Sequence, residues 1–127
     1  MPGRPESTGM LCDIDDLPDQ LVEGIRLFNE GSYFDCHEVI ESIWLQAEGL
    51  IKDRLHVLIL AAVSLHHLGN GNLKGAESVG RRTIAKLALL PDQIMGIDIS
   101  IFRRDFETYL NAEGTGLPAP RIGWVNR

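Results

Sequence analysis

Apolar residues recur at helical spacing in five stretches of this chain, each closed by glycine or proline. Leu21, Ile25 and Phe28 give the first stripe, which Gly31 ends. Ahead of it, Asp16-Leu17-Pro18 has the form of a helix start, with an acidic cap and a first-turn proline. The second stretch covers about Tyr33 to Ala47 and breaks at Glu48-Gly49. The third, about Ile51 to Leu68, is apolar almost all round, the pattern of a central helix packed on several sides. Gly69-Asn70-Gly71-Asn72 reads as a turn. The fourth, about Leu73 to Leu90, is predicted to bury Leu73, Ala76, Val79, Gly80, Thr83, Ile84 and Leu87, and Pro91-Asp92 ends it. The fifth starts at Asp98 and carries Ile99, Phe102, Phe106, Tyr109 and Leu110 to about Asn111. No strand pair with hairpin chemistry stands out, and the strand-like alternation is confined to Ile97 to Ile101. The segment from Gly114 onward reads as extended, with Trp124 as an anchor.

A repeat appears at a spacing of 40 residues. Asn29, Gly31, Tyr33 and Cys36 align with Gly69, Gly71, Leu73 and Ala76. Both segments read helix, glycine turn, apolar residue, small residue, helix. A small residue lets two helices approach closely. The pattern predicts two similar antiparallel hairpins. Two repeats are too few for a solenoid, so a fifth helix should close them into a compact all-α bundle. Residues 16–127 are read as one helical domain and residues 1–15, rich in proline, glycine and acids, as a disordered tail.

Composition narrows the function classes. The chain has 127 residues, 44% of them hydrophobic and 24% charged, as in ordinary globular domains. It lacks an apolar run of membrane-spanning length and a hydrophobic signal core near Met1. Cys12 and Cys36 have no motif spacing, which fits a reduced, cytoplasmic protein. Net charge is −6, and it is uneven. Residues 1–41 hold ten acids against Arg4 and Arg26, a local −8, which leaves +2 for the remainder. That balance disfavours nucleic acid, whose binding depends on phosphate neutralisation. Lys74, Arg81, Arg82 and Lys86 read as a solvated basic helix face.

The candidate chemistry sits on the second helix. At about 100° per residue, Tyr33, Phe34, His37, Ile40, Glu41 and Trp44 fall within an arc of roughly 120°. Glu38 points away from it. A histidine and a glutamate one turn apart thus share an aromatic face. Burying them costs several kcal/mol unless they are paired. The preferred reading is a buried polar network. His37 and Glu41 pair, His67 and Asn72 (or Asn29) extend the network, and Trp44 covers it. His66 reads as a core or rim residue.

The alternative compares His37-Glu38-x-x-Glu41 with the zinc-protease motif, in which two ligands one turn apart hold the metal and the intervening glutamate is the base. In that metal-dependent hydrolase, His37, Glu41 and His67 are ligands and Glu38 the base. A metal-free acid/base site on His37 is a third arrangement. No nucleophile elbow, P-loop or dinucleotide glycine run accompanies any of them.

The elements Phe28-Asn29-x-Gly31-x-Tyr33-Phe34-x-x-His37-Glu38-x-x-Glu41-x-x-Trp44 and His66-His67-x-x-x-Gly71-Asn72-x-x-Gly75-Ala76 carry a resemblance. Together with Gly96-Ile97-Asp98, they make the chain, over about residues 18 to 122, similar to the bacterial and archaeal domain of unknown function 309 family. The resemblance implies a small all-helical fold and no established activity. The family tends to place glutamines where His56 and Leu60 stand and glycine at Val57, so Leu60 interrupts its polar stripe toward His67.

Two function classes follow. One is a non-catalytic helical-hairpin domain acting through protein contacts, a homodimer among them. The other is the hydrolase. No bound metal, cofactor, nucleic acid or membrane is expected.

Overall fold

The computed structural model describes residues 19–125. It contains α1 (Asp19–Asn29), α2 (Tyr33–Trp44), α3 (Gly49–Gly69), α4 (Leu73–Leu87), β1 (Gln93–Ile94), β2 (Ile97–Asp98) and α5 (Ile99–Asn111). The expected tail, the Asp16-Leu17-Pro18 helix start and Cys12 lie outside the described residues. The fold is all-α, with each of α1 to α4 packed antiparallel on the next and α5 laid against α4. Phe102 of α5 reaches α1, its ring edge-on to Phe28 at 5.6 Å.

The two helix turns repeat hydrogen bond for hydrogen bond. The Ser32 N–H donates to the Leu27 carbonyl at 2.9 Å, and the Asn72 N–H donates to the His67 carbonyl at 2.9 Å. Gly31 donates to Phe28 as Gly71 donates to Leu68, and Cys36 donates to Ser32 as Ala76 donates to Asn72. Gly31 and Gly71 hold φ of 84° and 78°, a left-handed conformation that a side chain disfavours. Cys36 and Ala76 are both buried, at 0% and 1% exposure. Burial pushes the Cys36 thiol up to about 12, so it behaves as a small apolar group rather than a nucleophile.

α3 is the central helix, buried from Leu55 through Ala62 on most of its circumference. Its register with α4 is set by the Ser64 hydroxyl, which donates to the Ala76 carbonyl at 2.8 Å. Gly80 supplies the close approach. A Cβ there would lie 2.9 Å from the Ser64 hydroxyl and 2.5 Å from a Leu110 methyl of α5. Arg103 of α5 donates to the Leu87 and Leu90 carbonyls, capping the end of α4.

Two expectations need correction. Leu73, predicted buried, is 47% exposed. It opens α4 before the helix turns its apolar side inward. A small hairpin also exists where none was expected: Ile94 pairs with Ile97 across Met95-Gly96, both at positive φ. That is the backbone of a tight primed turn, carried here by methionine instead of the usual asparagine or aspartate. Gly123 and Val125 extend it by bonding Asp98 and Gly96, and Trp124 bridges to Ile97.

Candidate functional site

α2 and α3 run antiparallel, and an aromatic–histidine contact marks each end of the seam between them. The Phe34 ring lies 5.5 Å from that of His66. At the other end Trp44 stacks on His56 at 5.8 Å and 28°. Between them, on the same stripe of α2, His37 Nε2 stands 3.9 Å from Glu41 Oε1. That spacing is an ion pair when the imidazole is protonated and too long for a direct hydrogen bond.

The pair occupies the rim of the seam. The His37 and Glu41 side chains are 22% and 43% exposed, partly covered rather than sealed from water. The residues of α2 that are fully inside are Cys36, Ile40 and Ile43. The buried face is therefore rotated by roughly a quarter turn from the arc expected from the sequence. Phe34, which lies on that arc, is 52% exposed. Glu38 is exposed, as expected. His37 Nδ1 is shut away from water without a hydrogen-bond partner.

His67 and Asn72 form a separate unit at the α3–α4 turn. The Asn72 amide donates to His67 Nδ1 at 3.3 Å, while its carbonyl oxygen accepts from the Gly75 N–H at 2.9 Å and caps α4. Asn70 contacts His66 Nε2 at 3.1 Å. Asn29 turns away from all of these: it exchanges hydrogen bonds with the Ile122 backbone. The residues expected to form one network, His37, Glu41, Trp44, His67 and Asn72, thus divide into a His37–Glu41 pair, a His67–Asn72 pair and a Trp44 that covers His56, with the candidate base Glu38 exposed beside them.

Sequence reasoning missed the residues that meet Trp44. The Lys52 ammonium lies 4.4 Å from the centre of its ring. His56 is held below its ordinary value, first by burial and then by Lys86 and Arg82, with Asp53 acting weakly the other way. The signal was available. An antiparallel α2–α3 hairpin pairs residues whose numbers add to a constant, and that arithmetic joins Phe34 to His66 and Trp44 to His56.

Chemically, the hydrolase arrangement required His67 beside His37 and Glu41. Among the described residues no group of three or more His, Cys, Asp or Glu side chains is gathered so that it could hold a metal ion. A groove of about 350 Å³ lies elsewhere, between α1 and the C-terminal segment, lined by Val22, Ile25, Arg26, Asn29, Arg121 and Trp124 among others. Of the expected site residues, it is lined by the alternative network member Asn29 and by none of His37, Glu38, Glu41, Trp44, His67 and Asn72. No helix among the described residues is long and apolar enough to cross a membrane.

Residues 21–79 match the family model described as "Domain of unknown function (DUF309)". The whole seam from Phe34 to Asn72 falls inside that stretch. The chain is also 30% identical over 99 residues to an uncharacterised protein of Aquifex aeolicus (strain VF5). That alignment covers 77% of this chain and 30% of the relative, so the chain spans under a third of that protein's length.

Proposed function

We propose that this chain, which belongs to the domain of unknown function 309 family, is a non-catalytic module that acts through protein contacts made on the α2–α3 seam. The observation that carries the reading is Phe34, a half-exposed aromatic ring on a helix whose other apolar side chains are at least partly buried, seated on His66 at the edge of the seam. Aromatic rings exposed in this way favour protein interfaces, where their large area is buried on association. The Aquifex relative supports the module reading, because the matched unit is one part of a chain about three times as long. The His37–Glu41 pair then orients the seam and needs no substrate. The address that fits the cysteine usage is the cytoplasm, and a second copy of the chain is one candidate partner.

The test is a photo-crosslinking residue placed at position 34 and, as control, at Glu107 on the exposed side of α5, in cells that make the protein natively. A discrete heavier adduct from position 34, absent from position 107, is the expected result. No adduct at 34, or the same adducts from both positions, overturns the reading. Hydrolytic turnover lost in a His37→Ala variant would overturn it in favour of the enzyme.

A further inference from the structure

The cations of this chain are unequally partnered. Among the described residues, Arg26, Arg81, Arg103 and Arg104 each meet a carboxylate, and Arg121 donates to the Asn29 carbonyl. Lys52, Arg54, Lys74, Arg82 and Lys86 meet none, in a protein of net charge −6. Of these, Lys52, Arg82 and Lys86 gather at one place, around Trp44 and His56. Lys52 sits over the Trp44 ring, and Trp44 stacks on His56. The α3–α4 register, fixed by Ser64 against Ala76 and Gly80, lays Arg82 and Lys86 alongside the first half of α3. Glu48, Asp53 and Asp92 are the acids at this end; all three are exposed, and Asp92 is paired with Arg103.

Apolar side chains surround the same place. Because successive helices are antiparallel, the end of α2, the start of α3 and the end of α4 lie together. Leu45, Leu50 and Leu89 stand on these three segments with 66%, 61% and 85% exposure. Nothing in the core requires leucine at positions so exposed.

We propose that the Trp44 end of the seam docks a segment of a protein partner that is rich in carboxylates and apolar side chains, with Lys52, Arg82 and Lys86 receiving the carboxylates and Leu45, Leu50 and Leu89 the apolar groups. The proposal rests on the reading of the domain as a protein-contact module and names the chemistry of its partner. Charge complementarity carries it: three unpaired cations beside an indole attract an acidic segment and set its register, while the leucines supply area. His56, whose proton is held off first by burial and then by Lys86 and Arg82, adds a donor once a carboxylate beside it offsets those charges. An anionic lipid surface is the other chemistry that uses cations with leucines. Its usual device is one helix with a continuous apolar face, whereas these leucines come singly from three segments.

The experiment measures fluorescence anisotropy of a labelled peptide alternating aspartate and leucine, titrated with the full chain. Saturable binding is expected, weakened about tenfold or more by the Lys52→Glu/Lys86→Glu pair and severalfold by the Leu50→Ser/Leu89→Ser pair. All four sites are on the surface, and circular dichroism confirms that the variants fold. Absence of saturable binding, equal binding by the charge-reversed protein, or equal binding of a lysine–leucine peptide overturns the proposal. So does preferential binding to phosphatidylserine vesicles over the peptide. If position 34 still crosslinks while the peptide fails, this inference alone falls. If both fail, the module reading falls with it.

Discussion

The α1–α2 and α3–α4 hairpins share one turn and differ in almost everything that the turn carries. Their backbones repeat at a spacing of 40 residues down to the individual N–H donors. Their close contacts are exchanged. In the first hairpin the small residue is Gly24 on α1, facing Ile40 on α2. In the second it is Gly80 on α4, facing Ser64 on α3, with Leu110 of α5 pressing on the same point. Their surfaces diverge as well. Arg26 of α1 is held between Glu23 and Glu30, while Arg82 and Lys86 of α4 stand without a carboxylate. A conserved turn geometry thus sets the path of the chain, and the side chains decide which face α5 covers and which stays open.

The largest expected effect tests where that covering is tight. Gly80→Ala places a Cβ against α3 and α5 at once, so overpacking should cost about 2–3 kcal/mol in urea denaturation. Gly24→Ala meets only Ile40 and Val39 side chains. Part of its strain is returned by the better helix propensity of alanine, worth up to about 1 kcal/mol, and a net cost near 1 kcal/mol is expected. Equal losses at the two sites would break the view that α5 locks the second hairpin.

The caps give the next contrast. Asn72 caps α4 through its side chain, whereas Ser32, in the same backbone conformation, makes no side-chain cap bond. Asn72→Ala should cost about 1 kcal/mol and Ser32→Ala only a few tenths. Thermal melts of the two variants side by side decide it. A larger loss at Ser32 would mean that the turns are less alike in their energetics than in their backbones.

The seam supplies a smaller effect. A deeply buried His37–Glu41 pair would lose several kcal/mol in Glu41→Ala. With Glu41 43% exposed and the charged atoms 3.9 Å apart, the loss should stay below about 1 kcal/mol and shrink further in salt. A loss of several kcal/mol would restore the buried network.

The helices, their order and the repeat were legible because each rests on local chemistry: apolar spacing, glycine at positive φ, Asp98 at the head of α5. Asp98 accepts from the Ile101 N–H at 3.2 Å, as a helix start at that position requires. The Met95-Gly96 hairpin was hidden because methionine is an unusual residue at positive φ, and no pattern announces it. The rotation of α2 was hidden for a different reason. Two aromatic residues suggested an inward face, but Phe34 and Trp44 lie on the rim, where each ring covers a histidine of α3. Which apolar residues stay outside depends on the neighbouring helix, and periodicity within one helix does not contain it.

The smallest effect concerns charge at the Trp44 end and runs through His56. Its ring faces Trp44 of α2, and the charges acting on it are Lys86 and Arg82 of α4 and Asp53 of its own helix. Burial is the first cause of its lowered value, and the two α4 cations are the next. Protonation is therefore harder in the folded protein than in the unfolded chain. It follows that the unfolded state takes up the proton first as pH falls. The contribution of His56 to stability is full above the ordinary histidine value of about 6.5 and is lost as pH drops below it. Lys86→Met removes one of the repelling charges. In that variant the His56 ring protons, followed by NMR titration, should move their midpoint upward, and the acid-side loss of stability should become shallower. A His56 midpoint unmoved by Lys86→Met would place the α4 cations too far from the seam to act on it, and would remove the electrostatic difference between the two hairpins.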